Sequence, residues 1–303
     1  MNLTFSTFFL SGPVISLDDE DIAHRLLKRM LPSSWEVKCF RDQDEFTAEM
    51  ERQLRLQGTV SHDLSHVLAS WRENGTDLIE SVLRFWNRQS ERPANLVLID
   101  FRMPYADGVE LLSRDPLRIW EGRKLLLTAH ADDRVAVDAF NRHLITQFVN
   151  KGSLAKDRTQ TVQLMELIKR QGNALFERTW ATQVAVEQME VLEAAKEALT
   201  QIILREEWDE YVVIGQPFGI LGCSKGRSRW LQLETEESLE SLIEILENTG
   251  ASEQDCAEVR ERKSIMAVEL GSVRPRTKKQ PATVLPSKNK KLWGAVFDID
   301  LNP

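Results

Sequence analysis

Four short apolar runs punctuate the first half of the chain: Val14-Ile15-Ser16-Leu17, Asn95-Leu96-Val97-Leu98-Ile99, Lys124-Leu125-Leu126-Leu127 and Gln147-Phe148-Val149. Runs of this length that do not alternate predict strands buried on both faces, as in a parallel sheet covered by helices. Glu36-Val37-Lys38-Cys39-Phe40 alternates and supplies a further strand. Between the first two strands Ile22, Leu26, Leu27, Met30 and Leu31 recur at helical spacing up to Pro32. A second helix is expected from about Asp42 through Phe46, Met50 and Leu54 to Gln57, with Gly58 as its stop. Alternating strands and helices of this kind define an α/β fold with a doubly wound, five-stranded parallel sheet.

The interval 58–94 is surplus to that pattern. Leu64, Val67, Leu68 and Trp71 mark one amphipathic helix and Leu78, Val82, Phe85 and Trp86 a second, with Asn74-Gly75 as the turn, so an inserted helical hairpin is expected. A third helix runs from Val109 to about Ser113, and Asp132 or Asp133 caps a fourth. The fifth begins near Asp157, and no proline appears from Ala155 to Gln216. Apolar positions from Val162 through Met165, Ile168, Trp180 and Leu192 to Ile202 continue at helical intervals, with Gly172-Asn173 as an interruption. The domain reading is therefore 1–157 for the α/β domain, 158–210 for a connecting helix or two helices in near continuity, and 211–303 for a small α+β domain. In the last, Tyr211–Gly215, Phe218–Gly222 and Trp230–Leu233 predict a small antiparallel sheet, helices follow over 236–248 and 252–269, and 292–300 returns as a strand. The stretch 272–291, rich in Pro, Lys, Arg and Ser, is expected to be a linker or mobile loop.

Composition narrows the class. A chain of 303 residues with 42% hydrophobic content can bury proper cores, and a net charge of −8 argues against a surface that binds nucleic acid throughout. Cys39, Cys223 and Cys256 are widely separated and fit no metal spacing, which suits a reducing compartment. Neither a basic leader nor an apolar stretch of about 18 residues is present, so a cytoplasmic location without a membrane span is expected.

The chemistry gathers at the strand ends. In a parallel sheet these converge on one edge, where ligands bind. Asp18-Asp19-Glu20 follows the first apolar run, Asp100 the second, Thr128 the third and Lys151 the fourth. Clustered carboxylates repel one another unless a cation joins them, and an all-oxygen ligand set suits Mg²⁺. A lysine and a threonine hydroxyl complete a cradle for a phosphoryl group.

Asp100-Phe101-Arg102-Met103-Pro104-Tyr105-Ala106-Asp107-Gly108, together with Asp18-Asp19-Glu20, resembles the receiver domain of two-component response regulators over residues 12–157, about half of the chain. The resemblance implies a flavodoxin-like sheet. It implies that Asp100 is the phosphoacceptor, that Asp18, Asp19 and Asp100 bind Mg²⁺ with the backbone carbonyl of Arg102, that Thr128 and Lys151 bind the phosphoryl oxygens, and that Thr128 and Phe148 act as the switch pair. It further implies a histidine kinase or phosphotransfer protein as donor, with self-phosphorylation from that donor as the receiver's own chemistry; whether the second half is an enzyme is left open. Two positions depart from the family: Gly152 stands where proline usually follows the lysine, and Asp19 and Asp100 lie 100 − 19 = 81 positions apart, about twice the usual spacing.

Other motifs are weaker. His62-Asp63-Leu64-Ser65-His66 imitates a zinc-protease helix but has aspartate for the required glutamate, and Gly219–Gly226 has its lysine before glycine rather than in a phosphate-loop order. The basic run Arg274-Pro275-Arg276-Thr277-Lys278-Lys279 has no helix-turn-helix or finger beside it. The expected output is protein contact, with a downstream protein target or a homodimer. A DNA-binding or enzymatic second half remains the alternative.

Overall fold

The computed structural model describes residues 4–104, 107–128, 133–286 and 291–301. After a two-residue strand β1 (Phe8–Phe9), the chain alternates as β2 (Val14–Leu17), α1 (Asp21–Met30), β3 (Val37–Phe40), α2 (Gln43–Asn74), α3 (Leu78–Arg88), β4 (Leu96–Asp100), α4 (Gly108–Leu112), β5 (Arg123–Thr128), α5 (Asp133–Asn141) and β6 (Gln147–Asn150). Four more helices follow a short α6 (Lys151–Lys156): α7 (Arg158–Lys169), α8 (Ala174–Ala181), α9 (Val186–Ala194) and α10 (Lys196–Arg205). Next come β7 (Glu210–Ile214), β8 (Gly219–Ser224), β9 (Arg227–Thr235), α11 (Glu236–Asn248), α12 (Glu253–Arg260), β10 (Ser264–Met266), β11 (Val273–Pro275), β12 (Lys279–Pro281), β13 (Thr283–Leu285) and β14 (Leu292–Leu301). Two compact units share these elements. One holds Phe9–Asp63 and Gln89–Arg178, the other Asn2–Phe8, Leu64–Arg88 and Thr179–Pro303.

In the first unit the sheet order is β3-β2-β4-β5-β6, with every pair parallel. Successive strand residues point to opposite faces, so each strand feeds two cores. Ile15, Leu17, Val97, Ile99 and Leu126 pack with Phe46 and Met50 of α2, Val109 and Leu112 of α4 and Ala139 of α5. Val14, Leu96, Leu98, Leu125 and Leu127 pack on the other side with Leu27 and Met30 of α1 and Met165 and Ile168 of α7. Full burial of each such side chain contributes roughly 1.5–3 kcal/mol, which fixes the register of the site-bearing strand ends. This is the expected doubly wound, flavodoxin-like sheet with added helices.

In the second unit the strands run in the order β1-β7-β8-β9-β14-β11, with β13 also on β14 and a separate β10-β12 pair. The antiparallel pairings β7 on β8, β8 on β9 and β9 on β14 match the small sheet expected from the sequence.

Several local readings need correction. Gly58 does not end a helix: α2 runs unbroken for 32 residues, and an added Cβ at Gly58 would meet nothing within 4 Å. The first arm of the hairpin is thus a continuation of α2, and the turn falls at Gly75, whose φ of 63° suits glycine. In α1 the buried positions are His24, Leu27 and Met30, whereas Ile22 is 70% exposed. The stretch 158–210 is four helices rather than one or two. The helix expected over 252–269 ends at Arg260, and a turn with Arg262 at φ 57° leads into β10.

The mobile loop expected over 272–291 contains β11, β12 and β13. Two of its basic side chains are paired: Arg276 donates to both Asp300 oxygens at 2.9 and 2.8 Å, and Lys279 lies 2.7 Å from Asp255 and 2.8 Å from Glu258. Low apolar content signalled a loop because these strands send only Val273 and Leu285 into the core and otherwise pair backbones and charges. Asp132, one of the two candidate caps of the fourth helix, lies outside the described residues, and that helix begins at Asp133.

Candidate functional site

The carboxyl edge of the first sheet is where the polar strand ends meet. The strand order reverses between β2 and β4, and a crevice opens at such a switch point. Asp100 is the last residue of β4, paired with Leu127, and Thr128 is the last residue of β5, paired with Asn150. Asp18 follows β2 directly, held by its backbone N–H donating to the Phe40 carbonyl at 3.1 Å. Lys151 opens α6 after β6.

Distances bring four of these together. The Lys151 ammonium lies 2.6 Å from Asp18 Oδ2 and 2.9 Å from Asp100 Oδ1. One carboxylate oxygen each from Asp18, Asp19 and Asp100 falls within 4.8 Å of the others. Asp18 and Asp100 are buried, Asp19 half-buried. The other Asp18 oxygen accepts from the Glu20 backbone N–H at 3.0 Å.

The electrostatics follow from that crowding. Burial pushes the Asp100 carboxyl above the usual carboxylate range and Asp18 adds to the push, while Lys151 and the backbone N–H of Phe101 oppose it. For Lys151 burial works against the ammonium, but hydrogen bonds to Asp18 and Asp100 outweigh it and hold its proton above the ordinary lysine range. Three carboxyl groups share one ammonium. That imbalance, in an all-oxygen set, fits a divalent cation, and Asp18, Asp19 and Asp100 are the residues that would hold it.

Gly108 has a steric reason to be glycine. A Cβ there would stand 2.4 Å from the Asp100 carbonyl oxygen and 3.0 Å from an Ile99 methyl, and its N–H donates to the Phe101 carbonyl at 2.9 Å. The spacing from Asp100 to Gly108 thus records the close return of α4 onto the end of β4. Asp107 caps that helix by accepting from the Glu110 N–H at 2.6 Å.

The remaining residues singled out in the sequence take separate places in the fold. Thr128 is buried at the end of β5. Arg102 is exposed and its backbone is bridged to Asp107. Phe148 is half-buried and packs against the core beneath α2, α4 and α5. Gly152, in place of proline, donates its N–H to Asn150 Oδ1 at 2.7 Å, a bond that proline cannot make. The His62 and His66 pair sits on α2, and among the described residues the only set of three metal-ligating side chains is Asp18, Asp19 and Asp100.

Sequence reading missed His24. It is 7% exposed and lines a cavity of about 40 Å³ with Ser16, Asp18, Leu127 and Lys151. His24 Nε2 and Ser16 Oγ have no hydrogen-bond partner in the protein, and burial pulls the imidazole below its ordinary value against the opposing charges of Asp18 and Asp21. The available signal was its spacing, three residues before Leu27 on the face α1 turns inward.

Comparison with solved structures gives the fold a precedent. The Legionella pneumophila response regulator LqsR is similar over 100% of this chain and 92% of its own, with a TM-score of 0.70 and 16% identity. A response regulator receiver domain protein (CheY-like) from Methanospirillum hungatei JF-1 is 18% identical, over 54% of this chain and 97% of its own, at a TM-score of 0.34. The signal receiver domain of an HD domain-containing protein from Pseudomonas fluorescens Pf-5 is 14% identical, over 52% and 93%, at 0.32. No family model matches the chain, and no curated protein matches its sequence. The full-length likeness at 16% identity establishes a shared fold across both halves.

Proposed function

We propose that the chain is a response regulator whose Asp100 accepts a phosphoryl group from a phosphohistidine donor. The observation that carries this reading is the joining of Asp18 and Asp100 through Lys151 at 2.6 and 2.9 Å, with Asp19 completing an acidic cation site. An Asp100 carboxylate oxygen attacks phosphorus, the P–N bond of the donor breaks, and the released imidazole keeps the electron pair and takes a proton from water. Lys151 neutralises charge on the transferring group, and the Thr128 hydroxyl donates to one of its oxygens once the bond to Asp100 has formed. Asp18, Asp19, Asp100 and the Arg102 carbonyl would hold a Mg²⁺ ion, which would supply the further positive charge that phosphoryl transfer needs.

The acyl phosphate adds charge where Lys151 now bridges two carboxylates, so Lys151 and Thr128 turn toward the phosphoryl oxygens and Phe148 moves into the space that Thr128 leaves. The altered face is that of α5 and β6. Output is contact with a downstream protein or a second copy of the chain, in the cytoplasm, with no further enzymatic step. The ion pairs of Arg276 with Asp300 and of Lys279 with Asp255 and Glu258 favour this over nucleic-acid contact, because phosphate binding by that run would have to break them.

The test is intact-mass spectrometry after exposure to acetyl phosphate with Mg²⁺. Wild type should gain one phosphoryl group and Asp100→Asn none; an unlabelled wild type, or equal labelling of the variant, overturns the proposal. Capture of partners by phosphorylated wild type against Asp100→Asn then identifies the output.

A further inference from the structure

The second unit contains a cavity of about 750 Å³ that plays no part in the chemistry above. Its size falls within the range of small-molecule sites, roughly 300–1,000 Å³. Val191 of α9, Phe218 before β8, Leu242 and Ile245 of α11, and Val268 give it apolar walls. Glu234, the penultimate residue of β9 and 6% exposed, also lines it.

The position of Glu234 is built, not incidental. Gln232, on the same face of β9, donates from Nε2 to Glu234 Oε1 at 2.6 Å and to the Met266 carbonyl at 3.0 Å, while its Oε1 accepts from the Val268 N–H at 3.0 Å. Ser238 Oγ donates to Glu234 Oε2 at 2.5 Å. Each oxygen therefore has one donor and a second lone pair to spare. No cation pairs with Glu234 among the described residues, and burial pushes its carboxyl above the usual range while Ser238 and Gln232 oppose the push. A buried carboxylate held in place by two neutral donors lacks what usually stabilises such a group, a positive charge. The lining also carries Glu187, Glu236 and Glu237 against Lys291, so its charge does not favour anions.

We infer that this cavity is a binding site for an amphipathic organic cation, its ammonium on Glu234 and its apolar body between α9 and α11. A phosphorylated or carboxylated ligand is disfavoured by the same carboxylate, and a purely apolar one would leave Glu234 unpaired.

Three probes matched in shape and differing in charge test this on the full chain: 4-phenylbutylamine, 4-phenylbutanol and 4-phenylbutyrate, by isothermal titration calorimetry at neutral pH. The amine should bind saturably, one per chain, at least tenfold tighter than the alcohol, with the carboxylate weaker still. Glu234→Gln keeps the shape and removes the charge, its oxygen accepting from Gln232 and its NH₂ donating to a reversed Ser238 hydroxyl, and should lower amine affinity at least tenfold while the alcohol stays within twofold. The alcohol is the fold control, since a disrupted cavity loses both. If Glu234→Gln loses both, Glu234→Asp decides: it should restore the preference for amine over alcohol. Absence of saturable amine binding to wild type, or an amine-to-alcohol ratio that Glu234→Gln leaves unchanged, overturns the inference.

Discussion

Lys151 is the residue on which the acidic edge depends, because among the described residues its ammonium is the one positive charge paired with both Asp18 and Asp100. Replacing it with methionine keeps most of the packing and leaves two buried carboxyl groups facing one another. Breaking a fully buried pair costs about 3–5 kcal/mol, and the partial exposure of Lys151 reduces this to about 1–3 kcal/mol at neutral pH. The deficit should shrink as pH falls and Asp100, whose carboxyl is already raised, takes up a proton to relieve the repulsion. Urea titrations of Lys151→Met and wild type at pH 7 and pH 5 measure both effects; equal deficits at the two values would contradict the assignment. The sequence displayed these residues because each ends an apolar run, a pattern that survives without tertiary knowledge. His24 stayed hidden because its burial depends on which face α1 turns to the sheet, and Ile22 and Leu26 pulled the apolar stripe toward solvent.

At the scale of elements, α2 shows where local signals mislead. Glycine signals a stop, yet Gly58 lies inside a helix whose residues Met50, Val60 and Leu64 are fully buried, and tertiary burial outweighs the helical cost of one glycine, about 1 kcal/mol. With nothing within 4 Å of a Cβ at that position, Gly58→Ala should stabilise the chain by about 0.5–1 kcal/mol in urea denaturation. A helix ending there in a left-handed cap would instead be destabilised.

The same helix carries a charge cluster. Glu49 accepts from Arg52 at 2.8 Å through each oxygen and from Gln53 at 2.8 Å, and Gln53 in turn accepts from the Ala94 N–H at 2.7 Å ahead of β4. The Arg52 hydrogen bond, against an opposing burial cost, lowers the Glu49 carboxyl to about 2. Since the folded value lies below the unfolded one, the stabilisation is complete above pH 4.5 and is lost as pH falls toward about 2. Allowing for solvent screening it amounts to about 1–2 kcal/mol. Glu49→Gln should therefore be less stable than wild type at about pH 6, with a deficit that narrows steadily in thermal melts as pH falls from 4.5 toward about 2. Strand positions were legible because buried parallel strands are nearly all apolar; β11, β12 and β13 were not, since edge pairing leaves little trace in composition.

For the whole molecule, the division into two units runs across the chain order rather than along it. Leu64–Arg88 belongs with the second unit, and α7, which lies beyond 157, completes the first through Met165 and Ile168. A fragment of residues 1–157 would therefore lack one cover of the parallel sheet and carry α3 with Ile79, Val82, Phe85 and Trp86, all buried in the full chain, uncovered. At roughly 1.5–3 kcal/mol for each apolar side chain, that exceeds what a small domain can spare. The fragment should bind a hydrophobic dye and unfold without cooperativity. A different chain should succeed: residues 9–63 joined to 89–178 by a short Gly-Ser linker. The ends to be joined are close, since Gln89 Nε2 donates to Asp63 Oδ2 at 2.9 Å. This chain keeps both covers of the sheet and every residue of the acidic edge, so it should unfold cooperatively in urea and take a phosphoryl group from acetyl phosphate at Asp100. Cooperative unfolding of 1–157 together with collapse of the joined chain would show that the segment 64–88 belongs with the parallel sheet after all.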